Sequence, residues 1–137
     1  IFWNTAWTGG QKPHTLGILC NPSHPALASF PTNYHSDWQW WDAMSHSNAI
    51  SLENFPAEIQ PIVRVIDDWV SNQKLALIFE AKIGNGKLLI SGIDLISDKE
   101  NRAEARQLLF SLKEYMGSES FDPKIELDKS QIAKLFK

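Results

Sequence analysis

The stretch "LALIFEAKIGNGKLLISGIDL", residues 75–95, decides the fold. Two strand-like apolar runs flank Asn85-Gly86, and a two-residue hairpin turn needs the positive φ that Asn and Gly tolerate best. With Asn85 and Gly86 at its centre, Gly84 faces Lys87 and the register follows: Ala81 opposite Ile90, Phe79 opposite Gly92, Leu77 opposite Asp94. Successive strand side chains point to opposite faces. Leu77, Phe79, Ala81, Ile83, Leu88 and Ile90 therefore share one side, and Ala76, Ile78, Leu89, Ile93 and Leu95 the other. Strands apolar on both faces are covered on both faces, which predicts a three-layer α/β domain with a mixed sheet, this β-hairpin and flanking helices.

On the C-terminal side, Ser97 and Glu100 have capping-box spacing and predict a helix from about Asp98 to Met116, with Gly117 at its end. Ala105, Leu108, Leu109, Leu112, Tyr115 and Met116 form its apolar stripe. A loop "SESFDP" leads to "KIEL" and a short helix from about Lys129, capped by Asp128, with Ile132, Leu135 and Phe136 on its apolar face.

On the N-terminal side, "AISL" and "IVRVI" are short candidate strands separated by the loop "ENFPAEIQP". "HTLGILC" reads as a buried strand, followed by a Pro- and Ser-rich loop with one helical turn around Pro25–Ser29. Residues 1–7 read as a strand carrying Trp3 and Trp7, before the loop "TGGQKP". That strand opens at Ile1 in mid-run, so the chain reads as a piece of something longer, incomplete at its N-terminal side. The 137 residues suit a single domain, with a core over about 1–117 and a C-terminal strand and helix extension over about 118–137.

A net charge of −3 gives no basic footprint for nucleic acid or for an anionic membrane, and no apolar run approaches the length of a membrane span. The one cysteine, Cys20, cannot form an internal disulfide, and its place in "LGILC" predicts a buried, inert thiol.

The chemistry-bearing residues concentrate in "YHSDWQWWDAMSHS", residues 34–47, where Ser36 and Gln39 again have capping-box spacing and a helix is expected to about Ser45. His35 and His46 lie at opposite ends of that helix, roughly 16 Å apart by helical rise, too far to share an ion. His14 and His24 have no recognised ligand spacing, so no metal and no cofactor is expected. Glu80 and Asp94 fall on opposite faces of the hairpin and make a poor pair for acid–base hydrolysis. Asp94 alone lies where open α/β sheets place ligand sites, although a hydrogen-bonded turn residue explains it as well. No G-x-S-x-G elbow is present, and "GNGK" lacks the following helix of a phosphate loop.

Six tryptophans in one domain invite a carbohydrate-binding reading. Helical spacing puts Trp38 and Trp41 on one face with Ser45, and Trp40 with Met44 on another. So wide an aromatic arc must pack in part against the sheet or another domain. Trp3, Trp7, Trp38, Trp40, Trp41 and Asp94 are the candidate carbohydrate or interface contacts.

The run "FWNTAW…HTLGILCNPSHPALASFPT…HSDWQWWD…LIFEAKIGNGKLLISGIDL" resembles the C-terminal region of bacterial, Bacteroides-type family-two glycoside hydrolases of the β-galactosidase type. "HPALASFP" and "GNGKLLISGIDL" are also similar to the later half of glutamine-amidotransferase-like accessory domains. The resemblance covers about residues 1–125. It implies a flavodoxin-like or amidotransferase-like fold and a periplasmic or secreted parent acting on β-linked sugars through a barrel outside this chain. The family's catalytic glutamates match nothing here, and the amidotransferase nucleophile elbow is missing. The expected role is a non-catalytic accessory domain packing against other domains of the parent glycosidase or against another subunit. The alternatives are a carbohydrate-binding module, or a small hydrolase using Asp94 and a nearby histidine.

Overall fold

A computed structural model describes residues 15–68 and 70–136. In chain order these form β1 (Gly17–Cys20), a 3-10 turn (Pro25–Leu27), α1 (Trp38–Ser45), β2 (Ile50–Ser51), β3 (Val63–Ile66), β4 (Leu75–Ile83), β5 (Gly86–Ser91), α2 (Ala103–Met116), α3 (Lys129–Ala133) and a closing 3-10 turn (Lys134–Phe136). The strand expected over residues 1–7 and His14 lie outside the described residues.

The hairpin forms, with its turn centred one residue earlier and its register two residues away from the expected one. Ile83 pairs with Gly86, so Gly84 and Asn85 occupy the centre of the turn, and Gly84 alone of the two takes a positive φ, +54°. Glycine at the first central position is the requirement of a type II′ turn, and it outcompetes the Asn-Gly reading. Phe79 consequently faces Ile90, and Ala81 faces Leu88. The displacement is two residues in total, so each side chain keeps its face beyond the turn.

At the other end of β4 the alternation breaks. Val63 pairs with Ile78 but Arg64 with Ala76, which leaves Leu77 as the extra residue of a bulge. Leu77 and Ile78 consequently join the same core, while Ala76 crosses to join Phe79 and Ala81. The sequence pattern had placed Leu77 with Phe79 and Ala76 with Ile78; one inserted residue exchanges them.

The sheet has five strands, and every named pairing is antiparallel. β1 and β3 continue one edge of β4, while β2 and β5 lie end to end along the other. A lone parallel bridge, Lys82 to Glu126, fastens the C-terminal segment to β4. The mixed, three-layer, flavodoxin-like sheet is thereby corrected. A short loop joins β3 to β4 and a tight turn joins β4 to β5, connections that antiparallel neighbours allow and parallel ones do not.

Both faces are nonetheless covered. α1 and α2 lie on one, where Trp40, Ala43, Ala105, Leu108, Leu112 and Tyr115 meet Ile18, Val63 and Ile78. The opposite core, built on Ala76, Phe79 and Ala81, is closed by Leu52, Phe55 and Ile59 of a loop and by Leu127, Ile132 and Leu135. Two-sided apolar strands required covering, but a loop and a short helix suffice for so narrow a sheet.

α2 begins at Ala103, later than the capping-box spacing predicted, because Asp98 sits at φ +48° and stops helical propagation there. At the other terminus the expected Asp128 cap is observed as a reciprocal capping box with Gln131. No helix among the described residues is long and apolar enough to cross a membrane.

Candidate functional site: the tryptophan face of α1

α1 starts one residue later than Ser36 would give. Asp37 is the cap: its carboxylate accepts the backbone N–H of Gln39 at 3.1 Å. The Gln39 side chain does not reach back to complete a box. Its Nε2 donates instead to the carbonyl of Pro31 at 2.7 Å.

Packing against Phe30 and Thr32 fixes which tryptophan faces inward. Trp40 is fully buried, with its ring edge-on to Phe30 at 5.0 Å and its Nε1 donating to Thr32 Oγ1 at 2.7 Å. Indole burial is inexpensive only when that N–H finds an acceptor, and Thr32 supplies it. Trp38 and Trp41, one turn apart, are left outside the core. Trp38 is 83% exposed and Trp41 36%, their rings 5.7 Å apart and inclined at 48°. Tyr34, on the segment leading into α1, is 69% exposed and adds a third open aromatic ring that the sequence reading left off the candidate contacts. Trp3 and Trp7 lie outside the described residues.

The back of α1 is tied to α2. Arg102, almost wholly buried, donates from Nε to both carboxylate oxygens of Asp42 at 3.0 Å and from a terminal nitrogen to Oδ2 at 2.8 Å. Its other terminal nitrogen donates to the carbonyl of Ser97. The Asp42 hydrogen bonds and charge raise the Arg102 pKa against the opposing effect of burial. His46, at the helix end, also approaches Asp42, at 3.2 Å. The Arg102–Asp42 pair spans sixty residues, and no spacing in the sequence signals it. Ser45 Oγ is buried without a hydrogen-bond partner among the described residues.

Asp94 occupies the turn role. Its Oδ1 accepts the backbone N–H groups of Ser97 at 2.9 Å and Ile96 at 3.0 Å. Those bonds, Ser97 first, hold its carboxyl down at about 2. Glu80 accepts the Tyr115 hydroxyl at 2.6 Å, and burial foremost, then this bond, raises the tyrosine pKa. Cys20 is buried, which pushes its thiol up to about 12 and keeps it protonated at neutral pH. Among the described residues no group of three or more His, Cys, Asp or Glu converges as a metal site.

The carboxylates weighed for chemistry are thus held by local partners, and the open feature is the aromatic face of α1. A family model described as "Domain of unknown function (DUF8487)" matches residues 1–137, the whole chain. The chain belongs to the DUF8487 family. No curated protein matches it. For a DUF8487 domain, then, the tryptophan face has to be read from its geometry.

Proposed function

We propose that this DUF8487 domain is a non-catalytic accessory module of a β-galactosidase-type glycoside hydrolase, and that it docks on another domain or subunit through Trp38 and Trp41. The observation that carries the docking is the division of labour on α1. Of its three tryptophans Trp40 alone enters the core, while Trp38, 83% exposed, stands beside Trp41 at 5.7 Å. Aromatic residues of this kind anchor interfaces because they bring large apolar area at little cost in side-chain entropy. The glycosidase parent, and with it a periplasmic or secreted setting, rests on the resemblance of "HTLGILCNPSHPALASFPT" and "HSDWQWWD" to that family's C-terminal region.

Sedimentation of the chain with a β-galactosidase-type enzyme lacking this region tests the proposal. Co-sedimentation that Trp38→Ala combined with Trp41→Ala abolishes is the expected result. Independent sedimentation at high micromolar concentration would count against it.

The openness of Trp38 favours one second reading, a carbohydrate-binding module in which a pyranose stacks on the indole. Titration with galactosides and plant-polysaccharide oligomers separates the two. Docking alone predicts unchanged tryptophan emission at millimolar sugar, and a saturable shift lost in Trp38→Ala would favour the sugar.

A further inference from the structure

The segment that orients α1 is itself fastened at one end by a histidine in a protonation-dependent role. His24 caps the 3-10 turn Pro25–Leu27, its Nδ1 accepting the backbone N–H of Ala26 at 3.2 Å. An imidazole nitrogen accepts a hydrogen bond only while it carries no proton, and in imidazolium both nitrogens are donors.

What the cap holds is traceable atom by atom. The carbonyl of Ala26 accepts the Ser111 hydroxyl at 2.8 Å, and the same hydroxyl oxygen accepts the N–H of Ser29 at 3.1 Å. Gln107 donates to the carbonyl of Ser29 at 2.6 Å. Phe30 then meets Trp40 edge-on, Pro31 accepts from Gln39, and Thr32 accepts from the Trp40 indole. A continuous run of contacts therefore leads from His24 along α2 to the N-terminal half of α1.

We propose that His24 is a pH-sensitive latch: taking up a second proton breaks its cap on Ala26 and loosens the segment that fixes the tryptophan face of α1. The docking consequence rests on the function proposed above; the latch itself does not. The groups facing His24 are Tyr115 of α2, whose ring lies edge-on at 5.4 Å, and Glu80 of β4, which accepts the Tyr115 hydroxyl. Burial disfavours the imidazolium and dominates, while the Glu80 charge opposes it, so the pKa of His24 lies below its usual 6.5. The neutral form belongs to the fold. Stability from His24 is present above the usual histidine pKa and is lost as pH falls through the lowered value.

The test is a pH titration of the chain from about 7.5 to about 5, the range in which histidines charge. It is followed by histidine NMR and by the near-UV circular dichroism of the buried Trp40–Phe30 pair. His24→Asn is the informative variant, because an Asn side-chain oxygen caps a turn at any pH. In the wild type, the near-UV signal is expected to fall together with protonation of His24, below the ordinary histidine value. His24→Asn should hold its neutral-pH signal throughout, and His46→Gln should behave as the wild type does. Loss of signal in His24→Asn at the same pH as the wild type, or titration of His24 at or above the ordinary value, would overturn the latch. Removal of the transition by His46→Gln would overturn it equally. Both readouts need no docking partner, so failure to dock at neutral pH would refute the docking proposal and leave the latch to be judged separately.

Discussion

Three tryptophans within four positions do two different jobs, and substitutions should separate them. Trp40 is sealed against Phe30 with its N–H satisfied. Trp40→Ala should cost about 3–5 kcal/mol in urea unfolding, the range for emptying a large aromatic site. Trp38→Ala removes a side chain 83% exposed and should move stability by no more than about 0.5 kcal/mol. Equal losses would mean that α1 is rotated from the orientation described. Asp94 gives a test in pH. Its carboxyl titrates near 2 instead of the usual 3.8, held down chiefly by the Ser97 and Ile96 N–H groups. The stability it lends is therefore full above the unfolded value and lost as pH falls toward about 2. Asp94→Asn should flatten acid unfolding over that window, and a variant with the wild-type acid profile would show that the turn bonds carry no stability.

Among the elements, what the residues made legible was local, and what they concealed was relational. The hairpin, α1, α3 and the need to cover both faces of β4 follow from turn chemistry, caps and alternation within a few residues. The bulge at Leu77 does not, because it arises from pairing with β3, more than ten positions away, and it reverses which face Ala76 and Leu77 serve. The start of α2 was misplaced for a similar reason. Ser97 and Glu100 have the spacing of a capping box, but Asp98 at φ +48° and the tie of Arg102 to Asp42 reshape that turn. Asp94 is legible as a turn residue, whereas spacing separates Trp38 from Trp40 but only the packing of Phe30 and Thr32 on Trp40 decides which of them is sealed. Gly92 marks another long-range requirement: a Cβ there would clash with the backbone carbonyl of Asn48, just before β2. Gly92→Ala should therefore destabilise by about 1–3 kcal/mol, as overpacking does, read as a lower urea midpoint. A neutral effect would mean that the Asn48 segment moves away from Gly92 at little cost.

At the scale of the molecule, α1 is gripped on its inner side at both ends: by Thr32 and Pro31 at its start and by Arg102 at Asp42. Its outer side presents Trp38 and Trp41 to solvent. Cutting the grip should weaken the whole helix. Arg102→Ala leaves the Asp42 carboxylate, only 22% exposed, with His46 alone beside it, and a loss of about 1.5–3 kcal/mol, the range for hydrogen bonds to charged groups, is expected in urea unfolding. Arg102→Lys should recover only part of it, because an ammonium cannot make the two-pronged contact. With the helix held in this way its aromatic face is a pre-shaped surface, and the proposed docking covers it with a partner domain or subunit. Hydroxyl-radical footprinting of Trp38 and Trp41 measures this directly, comparing the chain alone with the chain mixed with a β-galactosidase-type enzyme lacking this region. Docking predicts a marked fall in oxidation of both residues in the mixture, and equal oxidation of Trp38 in the two samples would contradict it.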